Sequence, residues 1–183
     1  GIGMDICIKQ PPAGGFLRAV TSKSAAHRLL ICAALSRGNT ELICTDTSED
    51  IEATADCLRA FGAKIVRTAD GFSVTPVGTL PARADCHSRE SGATFRFLIP
   101  VAAALGIEAD FYPTGRIPQR PLSPLYEVLT EHGVWLSEKG SVPFSVRGKL
   151  TGSDFSIAAD VSSQFISGLL FAFALTGHEC RLH

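Results

Sequence analysis

The chain has 183 residues, with 17 Lys and Arg against 18 Asp and Glu, for a formal net charge of -1. This near-balance argues against a generic nucleic-acid binder, which carries a basic excess, and a hydrophobic fraction of 45% excludes a disordered chain. Mean hydropathy is +0.20, yet the longest apolar run, Ile166 to Thr176, contains Ser167 and Gly168 and is shorter than the roughly 18 residues of a membrane span.

In chain order the first strong pattern is an apolar helix over His27 to Leu35, followed by Gly38 and a strand over Thr40 to Cys44. A second helix runs from Asp50 to Phe61 and stops at Gly62. Strands follow at Ala63 to Arg67 and Gly71 to Val74. The plan then repeats. A helix over Phe95 to Leu105 ends at Gly106, and a strand covers Ile107 to Tyr112. A helix from about Pro124 to His132 ends at Gly133, before strands at Val134 to Ser137 and Pro143 to Val146. A third copy contributes a helix over Gln164 to Leu175, then Gly177 and a strand over Glu179 to His183. Arg28, Arg96 and Gln164 recur at an interval of 68 residues.

The fold class is therefore α/β (α+β), with repeated β-α-β-α-β-β units and pseudo-threefold packing. The predicted units are about 15–80, 81–150 and an incomplete 151–183, with residues 1–14 standing outside them as a tail or strand. The chain stops inside an element of an unfinished repeat, which reads as a truncated protein or a fragment. Six cysteines, at 7, 32, 44, 57, 86 and 180, show no CxxC spacing. They read as free thiols in a reducing, cytoplasmic setting, without a structural metal. Trp135 and the phenylalanines at 95, 97, 171 and 173 read as core, and the five histidines show neither triad nor ligand spacing.

Each first helix opens on groups that suit an anion. Lys23 and Ser24 precede Arg28, Gly92 precedes Arg96, and Ser162 and Ser163 precede Gln164. Free N–H groups and the helix dipole favour phosphate at such starts. Taken alone, each reads as a Ser-capped helix with solvated charges. Three coincident cases in a pseudo-threefold repeat would converge on one axis. With Arg116 and Arg120 on the following Pro-bounded loop, they predict a net cationic site for small polyanions.

These residues resemble a known family. Ser22 to Ser24 with Arg28, Ser91 and Gly92 with Arg96, Gly115 and Arg116 with Gln119 to Pro121, and Ser162 to Gln164 look like the successive signatures of the EPSP synthases, within the enolpyruvyl transferases. The resemblance implies two domains of three units each, with the active site in the cleft between them. It implies reaction of phosphoenolpyruvate with shikimate 3-phosphate by addition–elimination, releasing phosphate, with no metal or organic cofactor. By resemblance, Lys23 touches both substrates and is catalytic, and Ser24 and Arg28 bind the shikimate moiety. Arg96 and Arg116 clamp phosphoenolpyruvate, with Gly92 at the glyphosate-sensitive wall. Ser162 and Ser163 hold the phosphate of shikimate 3-phosphate, and Gln164 lies between the substrates.

Further acid/base groups are implied in a C-terminal half that the chain lacks, so it is expected to bind substrate with little or no turnover. Asp5 to Gln10 resemble a strand of that missing domain and are expected to be mobile or paired elsewhere. Two departures stand out: Val20 and Thr21 replace a common Pro-Gly, and Glu90 replaces an Asn. The other readings are a UDP-N-acetylglucosamine enolpyruvyl transferase and a non-enzymatic anion-binding protein. The first would carry a Cys in the loop Gly115 to Arg120, where none is found. No nucleic-acid or membrane partner is expected.

Overall fold

A computed structural model describes residues 6–8, 16–18, 22–44, 48–158 and 160–183, the first two stretches as backbone only. The first unit is β2 (Phe16–Arg18), α1 (Lys23–Leu35), β3 (Thr40–Ile43), α2 (Glu49–Ala60), β4 (Lys64–Arg67) and β5 (Gly71–Thr75), preceded in the chain by β1 (Ile6–Ile8). The second is β6 (Arg83–Arg89), α3 (Gly92–Leu105), β7 (Glu108–Pro113), a 3-10 turn (Ile117–Gln119), α4 (Leu125–Thr130), β8 (Val134–Leu136) and β9 (Phe144–Gly148). The third contributes β10 (Asp154–Phe155), α5 (Ser163–Phe173) and β11 (Cys180–Leu182).

The predicted unit is observed in both complete copies. Their sheets run β2-β3-β5-β4 and β6-β7-β9-β8. In each, the first two strands are parallel and the later pairings antiparallel. A parallel pair needs a crossover, and α1, α3 and α5 are those crossovers. The third sheet runs β1-β11-β10, with β10 and β11 parallel.

This pairing corrects the expectation for the N-terminal segment. Ile6–Ile8 lies antiparallel to Cys180–Leu182 as an edge strand of this chain's own third sheet. In the other two sheets the antiparallel place beside the second strand belongs to β5 and β9. The third unit supplies no such strand by His183, and β1 occupies the place. Residues 1–5 and 9–10 lie outside the described residues.

The helices meet at the middle of the chain. α3 is buried almost all round, from Phe97 through Val101 to Ala104, as its continuous apolar run demands. It packs against α5 and also meets α1 and α2. Pro100 lies inside α3 and has no N–H to return to the carbonyl of Arg96. Gly168 of α5 fits against that carbonyl: a Cβ there would stand 2.9 Å from the Arg96 oxygen and 3.1 Å from Pro100 Cγ. The absent side chain is what lets the two helices touch.

Several local expectations shift. The three opening strands, β2, β6 and β10, were not located by pattern. β6 does alternate, but its inward residues are Ala84, Cys86 and Ser88, which give a weak apolar signal. α1 ends at Ser36, whose hydroxyl donates to the carbonyls of Ala33 and Gly38, rather than at a glycine. α3 does end on left-handed Gly106. Trp135 is not core but 57% exposed. β8 is an edge strand that turns Val134 and Leu136 inward and Trp135 out. Cys32, Cys57, Cys86 and Cys180 are unbridged thiols. No helix among the described residues is long and apolar enough to cross a membrane.

Candidate functional site

Serine caps begin the helices that build the site. Ser22 Oγ accepts from Ala25 N at 2.9 Å, Ser91 Oγ from Thr94 N at 3.2 Å and Ser162 Oγ from Gln164 N at 3.2 Å. Ser48 caps α2 in the same way through Ile51 N. The caps answer the unpaired N–H groups of each first turn and fix where the next side chains point.

The starts of α1, α3 and α5 converge, as the repeat predicts. A cavity of about 370 Å³ is lined by Lys23, Ser24 and His27 of α1, Asp50 of α2, Glu90, Gly92 and Ala93 at the start of α3, Arg120, and Gln164 of α5. Of the sequence-predicted residues, Lys23, Ser24, Gly92 and Gln164 line it. Ser162 and Ser163 stand beside Gln164, at the cap and first position of α5.

Arg28 and Arg96 act from behind the wall. Arg28 donates to both oxygens of Ser24 and from Nε to Ser167 Oγ at 3.3 Å, and its guanidinium lies over the Phe97 ring. It ties α1 to α5. Arg96 is buried, donates to Gln164 Oε1 at 3.3 Å and to the Pro121 carbonyl at 3.0 Å, and lies over the Phe165 ring. Burial and the like charge of Arg120 both disfavour its guanidinium. An anion placed near Arg120 relieves the second effect.

Arg116 is not part of the lining. It is exposed and precedes the 3-10 turn, whereas Arg120 follows the turn and faces the cavity. Of the two arginines that flank this turn, Arg120 is the one among the lining residues. Gly92 makes room for it, because a Cβ there would stand 2.7 Å from Arg120 Nη1. Gly115, at φ +61°, has its open side against the Glu90 carboxylate.

The site is also less cationic than predicted. Lys23 and Arg120 are balanced by Asp50 and Glu90 in the lining, and Lys23 Nζ lies 2.5 Å from Asp50 Oδ2. Asp50 lies in the first turn of α2 and Glu90 just before the Ser91 cap of α3, and spacing alone marks neither as a cavity carboxylate. Behind them runs a buried polar chain. His27 Nδ1 is 2.7 Å from Thr54 Oγ1, which is 2.7 Å from Thr94 Oγ1, which is 2.7 Å from Ser91 Oγ.

Burial, opposed by Asp50 and helped by Lys23 and Arg28, lowers the His27 pKa from its ordinary 6.5 to about 4. The folded chain therefore excludes a proton that the unfolded chain binds. The stability it contributes is complete above about pH 6.5 and is lost as pH falls toward 4. At about 1.4 kcal/mol per pKa unit this amounts to up to about 3 kcal/mol. Urea titrations between pH 7 and 4.5 should show a shallower loss for His27→Asn than for wild type. Parallel curves would remove His27 as the cause.

The arrangement defines a class first: an α/β domain of repeated units that presents three helix starts to one polar cavity. A solved EPSP synthase from Acinetobacter baumannii has this fold, with a TM-score of 0.73 at 24% identity over 93% of this chain and 41% of that one. The chain belongs to the EPSP synthase (3-phosphoshikimate 1-carboxyvinyltransferase) family, whose model matches residues 9–183. It is 38% identical over 170 residues to the 3-phosphoshikimate 1-carboxyvinyltransferase of Clostridium kluyveri, covering 92% of this chain and 40% of the relative. The corresponding protein of Methanocorpusculum labreanum is 31% identical over 184 residues, covering 98% and 44%. The chain thus spans about 40% of the length of the curated relatives it matches.

Proposed function

We propose that the chain is a substrate-binding portion of an enolpyruvyl transferase that joins phosphoenolpyruvate to shikimate 3-phosphate. The observation that carries this reading is the convergence of Lys23, Ser24, Gly92, Arg120 and Gln164 on one cavity, in a chain of this family. The volume of about 370 Å³ suits a small ligand. Lys23 is the catalytic candidate: released from Asp50, its ammonium can bridge two anionic substrates. Ser24 and Gln164 offer hydrogen bonds to the acceptor substrate, with Ser162 and Ser163 at the start of α5 for its phosphate. Arg120, with Arg96 behind it, offers charge to phosphoenolpyruvate. Arg28 positions Ser24. A reducing, cytoplasmic setting fits the unbridged thiols.

General acid–base chemistry requires groups on both sides of the reacting centre. We expect binding without appreciable turnover from this chain, with the remaining groups in the longer protein. Calorimetry should detect shikimate 3-phosphate, and phosphoenolpyruvate more weakly. Losing one charge-assisted bond costs about 1.5–3 kcal/mol, so Lys23→Met should lower shikimate 3-phosphate affinity roughly tenfold or more. Binding of UDP-N-acetylglucosamine in its place, or an indifferent Lys23→Met, would overturn the assignment.

A further inference from the structure

A second cavity, of about 390 Å³, shares Arg120 with the first and no other residue. It opens between the segment that follows the 3-10 turn and the connection from β8 to β9. The two come close at its edge, where a Cβ on Gly140 would stand 3.6 Å from the Pro118 carbonyl oxygen.

The two cavities differ in chemistry. The first sets Asp50 and Glu90 against its cations. Among the described residues no carboxylate lines the second, whereas Arg120 and Lys139 both do. Phe95, Leu122 and Phe144 make its apolar wall, together with Pro118 and Pro121. Phe95 and Phe144 meet edge to face with ring centroids 5.5 Å apart, in a row of rings that runs from Phe111 to Tyr126.

Lys139 is fixed in this wall. Its Nζ donates to Ser123 Oγ at 3.0 Å and to Glu127 Oε1 at 3.2 Å, and it lies over the Tyr126 ring. Ser123 donates in turn to the same Glu127 oxygen at 2.7 Å. Glu127 and Tyr126 stand outside the lining, so the carboxylate orients the ammonium without occupying the cavity. The Lys139 side chain is still 51% exposed, within reach of an anion.

We propose that this cavity is a second ligand site, for a small carboxylic acid with a flat, apolar body. The carboxylate pairs with Lys139, and the body lies against Phe95, Leu122 and Phe144. An aromatic ring suits a wall of edge-to-face phenylalanines. A mostly apolar wall with a few placed polar groups is the common build of small-molecule sites. A phosphate dianion would bring a second charge against that apolar wall, which is costly. The proposal does not depend on how the Lys23 cavity is read.

The test uses the 183-residue chain labelled with nitrogen-15, with benzoate as the probe. Expected is a saturable shift of the amide resonances of Ser123, Gly140 and Ser141, with those of Lys23 and Ser24 unmoved. Acetate, which lacks the ring, and benzyl alcohol, which lacks the charge, should each bind about tenfold more weakly. Lys139→Met keeps an apolar stem and removes the charge, and should weaken benzoate about tenfold. Lys64→Met, on an exposed position of β4, should leave it unchanged. The proposal is overturned by no saturable shift, by larger shifts at Lys23 and Ser24 than at Gly140, or by acetate, benzyl alcohol or inorganic phosphate binding as tightly as benzoate. Equal benzoate affinities in wild type and Lys139→Met, or equal losses in the two lysine variants, overturn it too. If Lys139→Met does not fold, the wild-type shifts and the ranking of the four probes decide alone.

Discussion

Gly168→Leu is expected to cost more than about 3 kcal/mol of folding stability, and Gly168→Ala about 1–3 kcal/mol despite the better helix propensity of alanine. The reason lies between α3 and α5. A Cβ at 168 meets the Arg96 carbonyl and the Pro100 ring, both set in a buried helix and unable to swing aside. Overpacking at such a crossing moves backbone rather than rotamers. Arg96 belongs to that turn, so its guanidinium should leave Gln164 as the helices separate. Urea denaturation of both variants measures the loss. Gly78→Ala, where nothing stands within 4 Å of the added atom, is the control and should be close to neutral. A Gly168→Leu variant as stable as wild type would show that the helices do not pack through this glycine.

Arg120→Ala should weaken anion binding by roughly tenfold or more, the effect of losing one charge-assisted hydrogen bond. Arg116→Ala should remain within about twofold of wild type. Calorimetry with phosphoenolpyruvate on the two variants is the direct comparison, and the reverse ranking would favour Arg116, the residue to which the family resemblance points. Gly92→Ala should fall between them. Its methyl group would displace the tip of a flexible arginine, so affinity should drop while the thermal midpoint hardly moves.

The helices and their repeat were legible because both depend on strong signals: apolar runs with period near 3.6, serine caps, and Arg28, Arg96 and Gln164 at one interval. The convergence of the helix starts followed from the symmetry. What escaped were features whose signal is spatial. β10 has only two residues, and β6 hides its inward face in small and polar side chains. Arg116 and Arg120 flank one 3-10 turn, and only the course of that turn decides which faces the cavity. His27 sits in an apolar helix stretch and reads as core, and only the fold shows the chain of hydroxyls it joins. Asp50 in the first turn of α2 and Glu90 before the cap of α3 also wall the cavity, and spacing does not reveal that role.

The pairing of Ile6–Ile8 with Cys180–Leu182 has a consequence for how the molecule is assembled. The sheets of the first two units pair strands close in sequence, but the third joins residues 172 to 176 positions apart. Contacts of such long separation form late, because the intervening chain must be ordered before their closure is rewarded. During synthesis the first two units can fold as they emerge, while the third sheet waits for Cys180–Leu182. Until then the apolar face of α5, with Phe165, Leu169 and Phe173, has α3 to pack on but no completed sheet beside it. The third unit is thus the point at which a nascent or partly opened chain is most open to association with other chains.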